Sequence, residues 1–317
     1  MVYTDHIRID PAYRDALQTC GLTRVEDILK RVDGRVFAWS RTTDTVYVPC
    51  PGGRPGFYLK RYHYPRWRGR LRGTFRGRFF GVHRGLAEYR SLNAMRMLGI
   101  PAVRPVVFGA RRLAHFVAAC FLVTEEVPGA HNLTSFARNV QTGRAEISRA
   151  YRHAMVERLA VQVAAMHSAG FEHGQLFWRN VLIRKGPDDL PEFFFLDAQP
   201  PRRVIPRSTG RWWLTELAHL TASAIPFATR SERLRFLLRY SGVRRMERQT
   251  RQDIREMEKT ASRWRRHETQ RIKMNDLFEE WNRQLDRENG AAPLGGSAAQ
   301  LESSTPATSG KVLGSTP

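Results

Sequence analysis

The stretch "HGQLFWRN", residues 173–180, sets Gln175 and Asn180 five positions apart, and Asp197 closes the apolar run "FFFLD" further along. Asparagine and aspartate offer hard oxygen atoms of the kind Mg2+ selects. A carboxylate at the end of a buried apolar strand is costly unless a cation meets it. Lys60 ends "GFYLK", and Glu88 lies in "HRGLAEYRSLNAMRMLG". Phosphoryl transfer needs a lysine on the nucleotide phosphates, a carboxylate to fix it, metal ligands, and a group that orients the acceptor hydroxyl. Lys60, Glu88, Asn180 with Asp197, and Gln175 are candidates for those parts, in that order. Three of them also have a bland reading: Lys60 as an edge-strand lysine, Glu88 as a surface glutamate in an i,i+4 pair, Asp197 as an aspartate capping a turn. His173 reads as a structural histidine beneath the loop and His167 as a helix-end residue favourable to the dipole.

The elements that must carry these residues follow from periodicity. Residues 1–30 read as a helical lead-in, because "DPAYRDALQTCG" has Asp10 as N-cap, Pro11 at the first helical position and Gly21 past the end. Residues 35–60 alternate as an antiparallel meander, with "RVFAWS", "DTVYVPC" and "GFYLKRY" as strands. A helix fits 82–98, stopped by Gly99 and Pro101, and strands fit "VRPVVFGARR" and "HFVAACFLVTEE". The period then turns helical: Met155, Leu159, Val163 and Met166 share one face. Short strands fit 181–185 and 193–197. The rest is helical, ending in a long stretch over 248–285 with a stripe of Ile254, Met257, Ala261, Trp264, Leu277, Trp281 and Leu285. The Gly/Ser/Pro/Thr-rich tail from 287 has the composition of a disordered segment. The expected division is a lead-in over 1–30, a nucleotide-binding lobe over 31–126, a helical lobe over 127–286 and the tail over 287–317.

Composition bounds the partners. Lys and Arg number 52 against 30 Asp and Glu, a net charge of +22, which predicts a polyanion: nucleic acid, anionic lipid headgroups or a phosphorylated glycan. The basic residues concentrate between Lys60 and Arg78, where eight occur with no acid and with Tyr62, Tyr64, Trp67 and Phe75 interleaved. That composition suits an anionic glycolipid at a membrane face, and equally single-stranded nucleic acid. The three cysteines lack metal-ligand spacing and read as reduced thiols of a cytoplasmic protein. The polar start "MVYTDHIRID" is not signal-like, and no apolar run is long enough for a bilayer span.

Lys60, Glu88, "HSAGFEHGQLFWRNVLI" and "FFFLD", with "LGIPAVRPVVFGARR", "FLVTEEVPGAHNL" and "SERLRFLLRYSG", together resemble the lipopolysaccharide kinases of the protein-kinase-like superfamily. The resemblance covers roughly residues 30–275. It implies an α+β bilobal protein-kinase-like fold: an antiparallel-sheet lobe with one helix, a helical lobe, and ATP between them. It implies Lys60 on the phosphates, Glu88 on Lys60, Asn180 and Asp197 on Mg2+, and the hinge "EEV", with Glu125 and Val127, against the adenine. It further implies a Kdo or heptose sugar of an anionic glycolipid as acceptor, and work at the inner face of the cell membrane.

The chain departs from that family at three places. Gln175 stands where the catalytic aspartate belongs; it can orient a hydroxyl but cannot take its proton. "GRVFAWSRTTDT" lacks a GxGxxG loop, and "DAQ" replaces Asp-Phe-Gly. Glu172 and Asp188 are the nearby carboxylates that a replacement base would require. Two alternatives stay open at this level: a catalytically impaired pseudokinase acting as a binding or scaffolding module, and a polyanion-binding protein.

Overall fold

The computed structural model describes residues 3–40, 42–64, 82–114, 116–199 and 210–288. The basic segment beyond Tyr64 and the tail from residue 289 lie outside them.

The first lobe is built on a six-stranded antiparallel sheet in the order β1-β5-β6-β4-β3-β2. The strands are β1 (Tyr3–Ile9), β2 (Arg35–Ser40), β3 (Thr43–Val48), β4 (Phe57–His63), β5 (Pro105–Leu113) and β6 (Phe116–Glu125). The meander expected over 35–60 is β2-β3-β4. Period-two alternation gives β4 two faces. Phe57 and Leu59 are buried against Leu17 of α1 (Arg14–Thr19), Val25 and Ile28 of α2 (Val25–Lys30), and Leu22 between these short helices. Lys60 and Tyr62 point to the opposite face, towards α3 (Arg84–Met97).

The lead-in differs from expectation. Asp10 does cap a turn, accepting from Ala12 N at 3.1 Å, and Gly21 does take the left-handed conformation. Yet Tyr3–Ile9 is a strand paired with β5, so the segment belongs to the sheet. Its residues are mostly exposed, as an edge strand allows, and that left no apolar alternation to read.

α3 presents Gly85, Glu88, Leu92 and Met95 on its buried face. Leu92 and Met95 join a core that continues through Phe108 and Leu122 into the second lobe. The chain after α3 ties the lobes together: Phe195 N donates to Pro101 O, and Val103 N donates to Phe195 O, both at 3.0 Å.

The second lobe has a three-stranded sheet, β7 (His131–Asn132), β8 (Val181–Lys185) and β9 (Pro191–Phe195), and the helices α4 (Leu133–Gln141), α5 (Arg149–Ser168), α6 (Trp212–Ala224), α7 (Arg230–Ser241) and α8 (Arg248–Glu288). Asn132 and Ser148 cap α4 and α5, and Thr229 with Glu232 forms a capping box on α7. α8 packs on α6 through the buried Met257 and Ala261. The expected apolar stripe does not persist: Leu277 and Trp281 are exposed. There the helix is held by polar contacts instead. Asn275 Nδ2 donates to Ser135 Oγ at 2.9 Å, Arg138 pairs with Asp276 at 2.8 Å, and Asn282 Nδ2 donates to Val36 O at 3.0 Å. The helix thus runs from the second lobe to β2 of the first. No helix among the described residues is long and apolar enough to cross a membrane.

Candidate active site

Lys60 sits in the middle of β4, paired across the sheet with Thr45 and Leu122, rather than at the strand end read from the sequence. Its side chain leaves the sheet towards α3, where Nζ lies 3.1 Å from Glu88 Oε1 and 2.9 Å from Oε2. Nζ also lies 2.6 Å from Asp197 Oδ1. The Tyr62 hydroxyl donates to Glu88 Oε2 from the same face of β4. Burial opposes charge on Lys60, but Asp197 and Glu88 outweigh it and hold the ammonium far above its usual range. Burial pushes Glu88 up, assisted by the Asp197 charge and opposed by Lys60. Burial likewise raises Asp197, yet Lys60 prevails and its carboxyl lies below the ordinary range.

Asp197 lies two residues beyond the end of β9, with φ at 58°, in the left-handed region. Aspartate tolerates that region better than most residues, at a cost of order 1–3 kcal/mol. The turn brings its carboxylate across to Lys60. The β8-β9 hairpin places Asn180 beside it, for Val181 pairs with Phe195 and Leu196 N donates to Asn180 O at 3.1 Å.

The quoted loop is closed on itself. Asn180 Nδ2 donates to Gln175 O at 2.9 Å, which leaves its Oδ1 to face other groups. Gln175 N donates to His173 Nδ1 at 3.3 Å. His173 is fully buried, edge-on to Phe195, as the structural reading expects. Burial holds its imidazole below the usual range. Glu216 of α6 was not anticipated. It is 1% exposed and accepts from His173 N at 2.6 Å and Gly174 N at 2.9 Å, fixing the loop backbone to a helix. It is the only acid in "RWWLTELAHLTASA", a signal that the sequence did carry.

Other expected residues lie apart. Glu125 accepts from Tyr13 OH at 2.8 Å, and its backbone N–H donates to Arg104 O, so its side chain and amide are engaged inside the first lobe. Val127 packs at the margin of the core between the lobes. Asp188 pairs with Arg158 at 2.9 Å on the β8-β9 turn. A cavity of about 240 Å3 lies away from Lys60 among α4, α5, α6 and α7, with Phe136, Met155, Leu159 and Phe236 in its lining.

The arrangement joins a buried ammonium, two carboxylates and a neighbouring carboxamide at the junction of the lobes. Asn180 Oδ1 and the free oxygen of Asp197 are a donor set suited to Mg2+, which takes one or two protein oxygens and completes its shell with phosphate and water. Among the described residues no cluster of three or more His, Cys, Asp or Glu exists for a softer, all-protein metal site.

The chain from residue 26 to 260 matches the family model described as "Lipopolysaccharide kinase (Kdo/WaaP) family". No curated protein matches it. The fold is similar to a solved structure of WaaP in complex with acyl carrier protein, with a TM-score of 0.55 and 22% identity over 84% of this chain and 99% of that one. Lower-scoring neighbours include the maize SIRK1 kinase domain bound to AMP-PNP (TM-score 0.37, 11% identity, 61% and 57% covered) and the Mycobacterium tuberculosis PknI kinase domain (TM-score 0.34, 14% identity, 68% and 75% covered). With Lys60, Glu88, Asn180 and Asp197 all inside the matched region and a kinase-like fold around them, the chain is a phosphotransferase belonging to the lipopolysaccharide kinase (Kdo/WaaP) family.

Proposed function

We propose that the chain transfers the γ-phosphate of Mg-bound ATP to a hydroxyl of a lipopolysaccharide inner-core sugar, Kdo or heptose, at the cytoplasmic membrane face. The observation that carries the site assignment is Lys60 held between Glu88 and Asp197. In this reading Lys60 contacts the nucleotide phosphates and Glu88 keeps it extended. Asn180 and Asp197 would hold Mg2+, which would neutralise charge on the phosphates. The 125–127 segment, with Glu125 and Val127, borders the adenine. Asp197 would offer the metal the carboxylate oxygen that does not contact Lys60. Gln175 orients the acceptor hydroxyl without taking its proton, so rate comes from positioning and metal electrostatics. The lobes divide near 126–127, at the end of β6. The net charge of +22 suits an anionic acceptor at an anionic surface. The family match favours this reading over the scaffold and polyanion-binding alternatives.

The assignment is tested by ATP titration with and without Mg2+. Lys60→Ala should lose ATP affinity in both conditions, and Asp197→Ala only the part that Mg2+ adds. Equal affinities for all three proteins would overturn it.

A second partner is favoured by the 240 Å3 cavity, whose lining is mainly aliphatic and aromatic. The solved WaaP structure holds acyl carrier protein. We infer that the cavity here takes an acyl chain carried by such a protein. A thermal shift with acylated but not unacylated carrier protein supports this, and no difference between the two opposes it.

A further inference from the structure

Glu268 lies on α8, 89 positions beyond Arg179, and is 1% exposed. A buried carboxylate must be paired on both oxygens to be tolerated. Oε2 accepts from Arg179 Nη1, and Oε1 accepts from Ser223 Oγ at 3.0 Å. Ser223 Oγ in turn accepts from Trp178 N at 3.2 Å. The carboxylate therefore reaches the loop twice, directly through Arg179 and through a hydroxyl to the amide of Trp178.

The preceding loop residue is held by the same helices. The Phe177 ring stacks on His219 of α6 at 4.5 Å and meets Trp264 of α8 at 5.8 Å. The Arg179 guanidinium also lies over Phe177, 4.1 Å from the ring centroid. Trp264 and Glu268 are one turn apart, on one face of α8. Three consecutive residues, Phe177, Trp178 and Arg179, are thus fixed by α6 and α8, and the next is Asn180. α8 docks on α6 through part of its apolar stripe, and its most buried polar residue, Glu268, also holds the loop.

We propose that Glu268 is a positioning residue of the catalytic loop, setting Asn180 at the metal through Arg179 and Ser223. The inference rests on the metal assignment above. A loop residue misplaced by a fraction of an ångström loses metal contact, while nucleotide contacts made by Lys60 on the sheet stay intact.

Two measurements on the full chain test it, using Glu268→Gln, Ser223→Ala and Asn180→Ala. Hydrogen exchange reads the loop without any ligand. Glu268→Gln should speed exchange over 176–180 by about ten-fold while α5 keeps its protection, and Ser223→Ala, a milder change, should act chiefly at Trp178. ATP titration reads the consequence. Glu268→Gln should cut the Mg2+-dependent gain in affinity by about five-fold or more, towards that of Asn180→Ala, with Mg-free affinity within about two-fold of wild type. Wild-type loop exchange in a folded Glu268→Gln protein overturns the proposal. So does joint loss of α5 protection and Mg-free affinity, the mark of a merely structural residue. If wild type gains no ATP affinity from Mg2+, the metal assignment fails and the metal-setting role of Glu268 falls with it, whereas unchanged loop exchange beside a normal Mg2+ gain rejects the positioning role alone.

Discussion

Lys60 Nζ and Asp197 Oδ1 stand 2.6 Å apart although 137 positions separate them in the chain. The contact joins the sheet of the first lobe to the turn after β9 in the second. Glu88, 10% exposed at its side chain, completes the group. Removing the ammonium strands a buried carboxylate, which typically costs about 3–5 kcal/mol. Lys60→Ala should therefore lose stability of that order in urea denaturation. Adding Glu88→Gln should recover part of the loss, since one of the two stranded charges is gone. Additive losses would show the two residues to be uncoupled.

Gly85 lies at the start of α3, one turn before Glu88. A Cβ there would stand 2.4 Å from Phe121 O, a backbone atom of β6 that cannot swing away. Gly85→Ala should push α3 off the sheet and draw Glu88 from Lys60. The expected result is a stability loss of about 1–3 kcal/mol together with weaker ATP binding. Lost stability with unchanged ATP affinity would separate the helix seat from the site.

Gln175 lacks a proton-accepting group where a base would act. General-base assistance is typically worth about 10²–10⁴-fold. Gln175→Asp should raise phosphate transfer within that range and leave ATP affinity unchanged. A fall in rate would show that the loop is built around the carboxamide.

Acid should loosen the fold before it protonates the paired carboxylates. Burial lowers His219 to about 4, and burial with nearby Arg112 lowers His83 to about 4, against an ordinary 6.5. Protons thus favour the unfolded chain. The stability concerned is whole above about pH 6.5 and is lost as pH falls towards 4, on the order of 2–3 kcal/mol for each histidine. Melting temperatures of His219→Phe across pH 7 to 4 should show a shallower acid limb than wild type, with the His83 contribution remaining. Parallel limbs would contradict the assignment.

The meander, α3, α5 and the long terminal helix were legible from hydrophobic period, with Gly99 and Pro101 marking the end of α3. Lys60, Glu88 and Asp197 were legible for their types and order, although the mid-strand place of Lys60 was not. β1 was hidden because an edge strand needs little apolar alternation, and the Asp10-Pro11 cap beside it read as helix. Glu268 was hidden for another reason: it looks like an ordinary helical acid until tertiary packing buries it against the loop. Glu216, the only acid in an apolar segment, did carry a signal, but its partner in the loop is set by tertiary packing. Leu277 and Trp281 misled in the opposite sense: the spacing fits a stripe, but α8 there meets Ser135 and Val36 through asparagines.

The decisive assay is phosphate transfer from labelled ATP to Kdo-bearing lipid A in the presence of Mg2+, comparing wild type with Asp197→Ala. Wild type should label the lipid, and the variant should lose at least about 100-fold, since in the proposed site Asp197 would serve both metal and lysine. Equal labelling by both proteins would contradict the site. Absence of labelling by wild type and by Gln175→Asp alike, across Kdo and heptose acceptors, would contradict the proposed reaction.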